Sequence, residues 1–274
     1  METRLHHVEE SPGSNPGRQD AHRSYAPPGV QDSEETQAVA HRYASSPEFS
    51  KHSENLREVE SGLRQVELLH KRAIREKRDA AIPTLSRLQY LTIGMMAEAR
   101  LRKIVADPMG FNDRERQLIR QARSQVDQWV SVVDFAFRRQ YAVPIHLEMH
   151  ASGIADTYKA QHALINTLLL EDLAPVVEDR NKIAHAQWAW LLNSKETSFK
   201  GAAPGHLNYS ALFARSTMIR AIGSLASSLV LSEPTFQRDY DKNVAEINRA
   251  KTQIDGSGYE DFVRKMLSKI PPQR

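Results

Sequence analysis

The chain has 274 residues, 40% of them hydrophobic, enough to bury a core as one or two domains. It contains no cysteine, which excludes disulfides, thiolate zinc sites and a cysteine nucleophile together. The 37 lysines and arginines against 34 aspartates and glutamates leave a formal charge of +3, and the pI is near 9.0; this balance permits a polyanionic partner without identifying one.

The opening METRLHHVEE has no apolar stretch of the kind a secretion signal needs, and no charge-free apolar run approaches the roughly 18 residues of a membrane span. The expectation is a cytoplasmic protein that does not enter the membrane. Residues 1–52 are rich in Ser, Pro, Gly, His, Gln and Glu and show no sustained period, so too little surface can be buried to offset chain entropy. A disordered tail is predicted there, followed by a helical domain over 53–274.

From about Glu54, Leu56, Val59, Leu63, Val66, Leu69 and Ile74 recur at helical spacing. The same helix carries the basic run 70–78, in which Lys71, Arg72 and Arg75 are candidate contacts to an RNA backbone; such a run also suits a plain solvated face. After Pro83, Leu85, Leu88, Leu91, Met95, Leu101 and Ile104 describe a second helix ending near Asp107. Glu98 falls among these apolar residues. It can pair with Arg180 from a neighbouring helix, or with Arg102 one turn along its own.

Asn112 and Glu115 have capping-box spacing, and Leu118 to Phe137 then reads as one unbroken helical face with Trp129 and Phe137 in the core. The stretch 146–150, HLEMH, lacks the spacing of a zinc-protease motif and sits in a predicted loop, so no metal site is assigned. Another helix is expected over 155–170, leading into 171–193, where Asp172 can cap a further helix and Glu178 can pair with Lys182.

In that segment, polar residues interrupt an apolar pattern in a way that packing does not require. At 3.6 residues per turn, Val177, Asn181, His185, Trp188 and Leu192 form one stripe, with Asn181 and His185 one turn apart in its middle. Arg180 lies beside them on a face with Leu173, Val176, Ala184 and Gln187. From Arg180 to His185 the helix turns roughly 140° beyond a full revolution, so the two side chains flank a groove. An always-charged planar donor, a neutral amide and an imidazole that titrates near neutrality together suit phosphodiester chemistry.

Arg180-Asn181-Lys182-Ile183-Ala184-His185 fits R-x-x-x-x-H with a polar residue after the arginine. With the preceding helical pair that includes LTIGMMAEARLRKI, it resembles the HEPN superfamily of all-helical ribonucleases over about residues 85–200. Some members carry a tyrosine two residues after the histidine, a position held here by Gln187. The resemblance implies a metal-independent, cofactor-free endoribonuclease with Arg180, Asn181 and His185 as catalytic residues. It also implies a toxin or antiviral setting, a homodimer that pairs two motifs across a two-fold axis, and an antitoxin or regulatory partner.

Residues 193–208 are expected to form a loop offering Lys195 and Lys200 to RNA phosphates. Asn208 then opens a helix with a small-residue stripe at Thr217, Ala221, Ser224 and Ser228. Pro234 lies near the start of the next helix, and Gly256 and Gly258 set off a short last one. The whole reads as all-α, a bundle of about seven or eight helices behind the tail. The rival reading is a non-catalytic helical module, binding RNA or protein, in which Arg180, Asn181 and His185 form a buried hydrogen-bond network that fixes helix packing. Solvent access to His185 separates the two.

Overall fold

The computed structural model describes residues 46–193, 197–202, 208–256 and 258–268, all within one compact unit, Ala40–Arg274. The expected tail lies outside the described residues up to position 45. Beyond that point the prediction needs correcting, because helix α1 (Pro47–Arg75) begins ahead of Glu54. Ser46 caps it by accepting from the Phe49 N–H, Pro47 occupies the first turn, where a missing donor costs little, and Glu48 pairs with Arg120 at 2.6 Å.

Helix α2 spans Ile82–Val105, α3 Asp113–Arg120 and α4 Gln125–Gln140. Helix α5 (Asp156–Thr167) runs through a π-helical turn at Leu168–Leu173 into α6 (Ala174–Ala184). A small antiparallel hairpin follows, β1 (Trp190–Leu192) against β2 (Phe199–Ala202), and then α7 (Tyr209–Leu231), α8 (Glu233–Asp255) and α9 (Tyr259–Leu267). If α5, the π turn and α6 are taken as one rod, the described residues form eight helices, an all-α bundle. Among the described residues no helix is long and apolar enough to cross a membrane.

Helix α7 is the axis of the bundle, buried along most of its circumference, with α1, α2, α4 and α8 packed on it. Its small residues allow close approach. A Cβ on Gly223 would stand 2.9 Å from Arg100 Cδ, and that arginine passes between α2 and α7 to reach Glu60 of α1 at 2.5 Å.

Several predicted faces shift because these helices are covered on more than one side. On α1 the buried stripe is Leu56, Leu63, Glu67, His70 and Ile74, whereas Leu69 is exposed; on α2 it runs through Tyr90, Ile93, Ala97, Leu101 and Ile104, with Met95 exposed. The face expected to be unbroken from Leu118 to Phe137 is interrupted: α3 ends at Arg120, and Ser124 caps a new helix by accepting from the Asp127 N–H. The capping box at Asn112 and Glu115 forms as expected, and Trp129 and Phe137 are fully buried. No helix starts at Asp172. The π turn absorbs Pro175 within one continuous rod, and Asp172 instead binds Lys251 of α8 at 2.8 Å.

His70, part of the basic run in sequence, is sealed between α1 and α2. Its Nδ1 meets Gln89 Oε1 at 2.8 Å, and Tyr209 stands edge-on to its ring. Burial holds its pKa below the ordinary 6.5. The unfolded chain therefore takes up a proton that the folded one resists, and this contribution to stability, complete above 6.5, is lost as the pH falls through that value towards the lowered one. Nearby Glu67 has its carboxyl pushed up from 4.5 by burial and acts in the opposite sense. The effect of His70 is therefore read by difference: thermal melts of the wild type and His70→Phe should diverge in slope between about pH 7 and pH 5, with the wild type losing more stability. Parallel curves would show that His70 is not the acid-sensitive group.

Candidate functional site

Three rungs on α2, four residues apart, fix α6. Tyr90 Oη donates to Asp179 Oδ2 at 3.2 Å, Gly94 receives the stem of Arg180, and Glu98 Oε2 accepts from Arg180 Nη2 at 2.8 Å. The glycine is required by contact. A Cβ at position 94 would stand 2.5 Å from both Cβ and Cγ of Arg180, so only Gly lets the arginine lie across α2. Arg180 Nη2 also donates to Gln125 Oε1 of α4 at 2.6 Å. The guanidinium is thus held from two helices, with its side chain 17% exposed.

Glu98 does both of the things open to it. It binds Arg180 through one oxygen and Arg102 through the other, and the three groups carry a net charge of +1. Glu178 does not pair with Lys182, whose ammonium instead meets Asp179 at 2.9 Å.

The stripe expected to continue through Trp188 and Leu192 is broken, because α6 stops at Ala184. It closes with a Schellman arrangement, in which the Gln187 N–H reaches Lys182 O at 2.9 Å and the Ala186 N–H reaches Ile183 O at 3.2 Å. Ala186 adopts φ 60°, a left-handed conformation that favours glycine and costs an alanine on the order of 1 kcal/mol. His185 is the C-cap residue and is exposed, as is Asn181 one turn back. Neither side chain is hydrogen-bonded to another described residue, in contrast to the tightly held Arg180.

Beyond the cap the chain is anchored again. Trp188 Nε1 donates to Ile183 O at 2.9 Å, Arg87 Nη2 donates to Trp188 O at 3.0 Å, and the Arg87 guanidinium lies 5.3 Å from the Trp188 ring centre. The hairpin replaces the last turn of the expected helix with β1 and part of the expected loop with β2. Asn193 organises its turn: its N–H reaches Ser198 O and its side chain bonds Thr197 and Ser198.

Three of the five candidate RNA contacts lie on α1. Lys71 lies over Tyr209 and Phe213, 5.4 and 6.0 Å from the ring centres, Arg72 binds Glu76 at 2.6 Å, and Arg75 is exposed at the end of α1. Lys195 lies outside the described residues. Lys200 belongs to β2, and its side chain is likewise outside them. The sequence reading missed Gln125 and Gly94. Gly94 had a visible signal, a glycine inside an apolar helix exactly one turn before Glu98; Gln125, a polar residue just inside a helix start, had none.

Fold and site together define an all-α protein in which one helix end presents an exposed amide and imidazole, while the arginine of the same segment turns inward to a carboxylate on α2 and an amide on α4. Comparison with protein-family models, with curated proteins and with solved structures returns no match.

Proposed function

We propose that the chain is a metal-independent endoribonuclease acting at Arg180, Asn181 and His185. The supporting observation is the contrast within the motif: His185 and Asn181 are exposed and have no described partner, whereas Arg180 is clamped by Glu98 and Gln125. A network serving only helix packing would enclose all three residues, because buried polar groups stabilise only when they are paired with one another. An exposed imidazole on the same helix end as a fixed cation offers the proton-transfer group and the positive charge that a phosphodiester substrate requires.

In this chemistry the ribose 2′-oxygen attacks the adjacent phosphorus, the bond to the 5′-oxygen breaks, and a cyclic phosphate and a 5′-hydroxyl result. One proton leaves the 2′-hydroxyl and one is delivered to the departing oxygen. His185 transfers a proton, Arg180 offsets the charge growing on the phosphoryl oxygens, and Asn181 orients the phosphate or the imidazole. Glu98 acts as a positioning residue, holding the guanidinium in place.

Each chain supplies one histidine for two proton transfers, which favours a homodimer with two motifs across a two-fold axis. By resemblance to HEPN proteins, the setting is a toxin or antiviral system with an antitoxin or regulatory partner. The class is tested by incubating the protein with mixed RNA and with matched DNA in chelator, with light scattering on the same sample. RNA-only cleavage ending in cyclic phosphates, by a dimer at micromolar concentration, is the expected result. Cleavage of DNA, or dependence on a divalent cation, would overturn the reading, and a fully active monomer would remove the dimer.

A further inference from the structure

A cleft of about 380 Å³ opens where α1, α2, α3 and α4 meet, a volume within the roughly 300–1,000 Å³ of small-molecule sites. Leu101 and Val105 of α2 and Ile119 of α3, all buried, give it an apolar floor. Around the floor stand Glu48 of α1, Arg102 of α2, Arg120 of α3 and Gln128 of α4. The walls are already fixed to one another. Arg116 of α3 donates to Val105 O at 3.1 Å and to Asp107 O at 2.9 Å, holding α3 against the end of α2, and Glu48 accepts from Arg120 at 2.6 Å, joining α3 to α1.

The polar groups give the cleft its chemistry. Arg102 and Arg120 each spend one terminal amino group on a carboxylate, Glu98 and Glu48 respectively, and their side chains stay 62% and 56% exposed. A guanidinium carries several N–H donors in a planar fork, so each arginine keeps donors for a second acceptor. Glu98 shares itself with Arg180, and the linked cluster, three arginines against two glutamates, is cationic by one charge. The Gln128 carboxamide, a donor and an acceptor side by side, is bonded to no other described residue.

We propose that this cleft binds an adenosine 5′-monophosphate-like nucleotide, with its phosphate on Arg102 and Arg120 and its base on the apolar floor against Gln128; the site does not rest on the ribonuclease reading of the helix end at His185. A phosphate monoester suits the rim better than a carboxylate does. Both arginines already hold carboxylates, and a phosphate brings more negative charge and more acceptor oxygens to the same forks. Inorganic phosphate alone would leave the floor and Gln128 uncovered. Adenine fits both, since its faces are apolar and a glutamine amide matches the donor and acceptor at its N6 and N7.

The test is calorimetric titration of the full-length chain with adenosine monophosphate, adenosine, uridine monophosphate and inorganic phosphate. Adenosine monophosphate should bind more tightly than any of the other three. Arg102→Ala and Arg120→Ala, both at side chains more than half exposed, should each weaken it roughly 10- to 150-fold, the range for losing a charged hydrogen bond, with adenosine little affected. Glu48→Gln releases Arg120 from its carboxylate and should tighten nucleotide binding, and Gln128→Ala should narrow the preference for adenosine monophosphate over uridine monophosphate. Arg123→Ala, an exposed neighbour that does not line the cleft, should change nothing. Absence of nucleotide binding by the wild type overturns the proposal, as does unchanged affinity in both cleft-arginine variants. Equal affinity for inorganic phosphate and adenosine monophosphate removes the base from the site, and an equal loss in Arg123→Ala would reduce the effect to diffuse charge attraction; either result overturns it too. None of these titrations requires RNA cleavage, so failure of the nuclease reading and failure of the nucleotide site are read separately.

Discussion

His185→Ala is expected to lower RNA cleavage by roughly two to four orders of magnitude, the range for losing a general acid or base, with RNA affinity and melting temperature almost unchanged. The structure sharpens this expectation, because the side chain is exposed and bonded to no other described residue. Its backbone at φ −89° and ψ 26° suits alanine as well. A surface substitution of this kind ordinarily stays within about 0.5 kcal/mol. Single-turnover cleavage and thermal melting on the same samples decide the matter, and normal cleavage by the folded variant would falsify the catalytic assignment.

The largest structural effect is expected at a residue outside the motif. Gly94→Leu drives a side chain into the stem of Arg180, where the contact is already 2.5 Å, and the stem cannot swing aside as a flexible tip would. The helices must part or Arg180 must leave Glu98 and Gln125, a loss on the order of 1–3 kcal/mol, with cleavage falling although no motif residue is altered. Arg180→Ala weakens both binding and cleavage, and Arg180→Lys restores neither fully, because a point charge cannot reproduce the planar fork. The two positions should couple: in an Arg180→Ala background the stability penalty of Gly94→Leu shrinks, since the obstructing stem is gone. Additive penalties in that cycle would show that the close contact is not what fixes Arg180.

Much of the helical layout was legible because capping and breaking are local. The Asn112–Glu115 box, the Asn208 cap and the prolines near helix starts act over a few residues of chain, so sequence spacing carries them directly. The choice of buried face was less legible. Apolar spacing pointed to Leu69 and Met95, yet both are exposed, while His70 is buried against Gln89 and Glu67 against Ser216. A polar residue enters the core only when a distant partner satisfies it, and that partner is not written in its own helix.

The candidate site divides the same way. The sequence by itself determined the residue types and their spacing, an arginine followed by an amide and, five positions on, an imidazole, on an apolar segment of an all-α chain. It also put Glu98 within reach of either Arg180 or Arg102, without deciding between them. Tertiary structure decided that Glu98 takes both, that Gln125 completes the hold, and that a hairpin and not another helical turn follows the end of α6 at Ala184. The physical reason is range. Helical periodicity follows from neighbouring backbone dihedrals, whereas the clamp on Arg180 depends on contacts with α2 and α4, brought close only when the core packs.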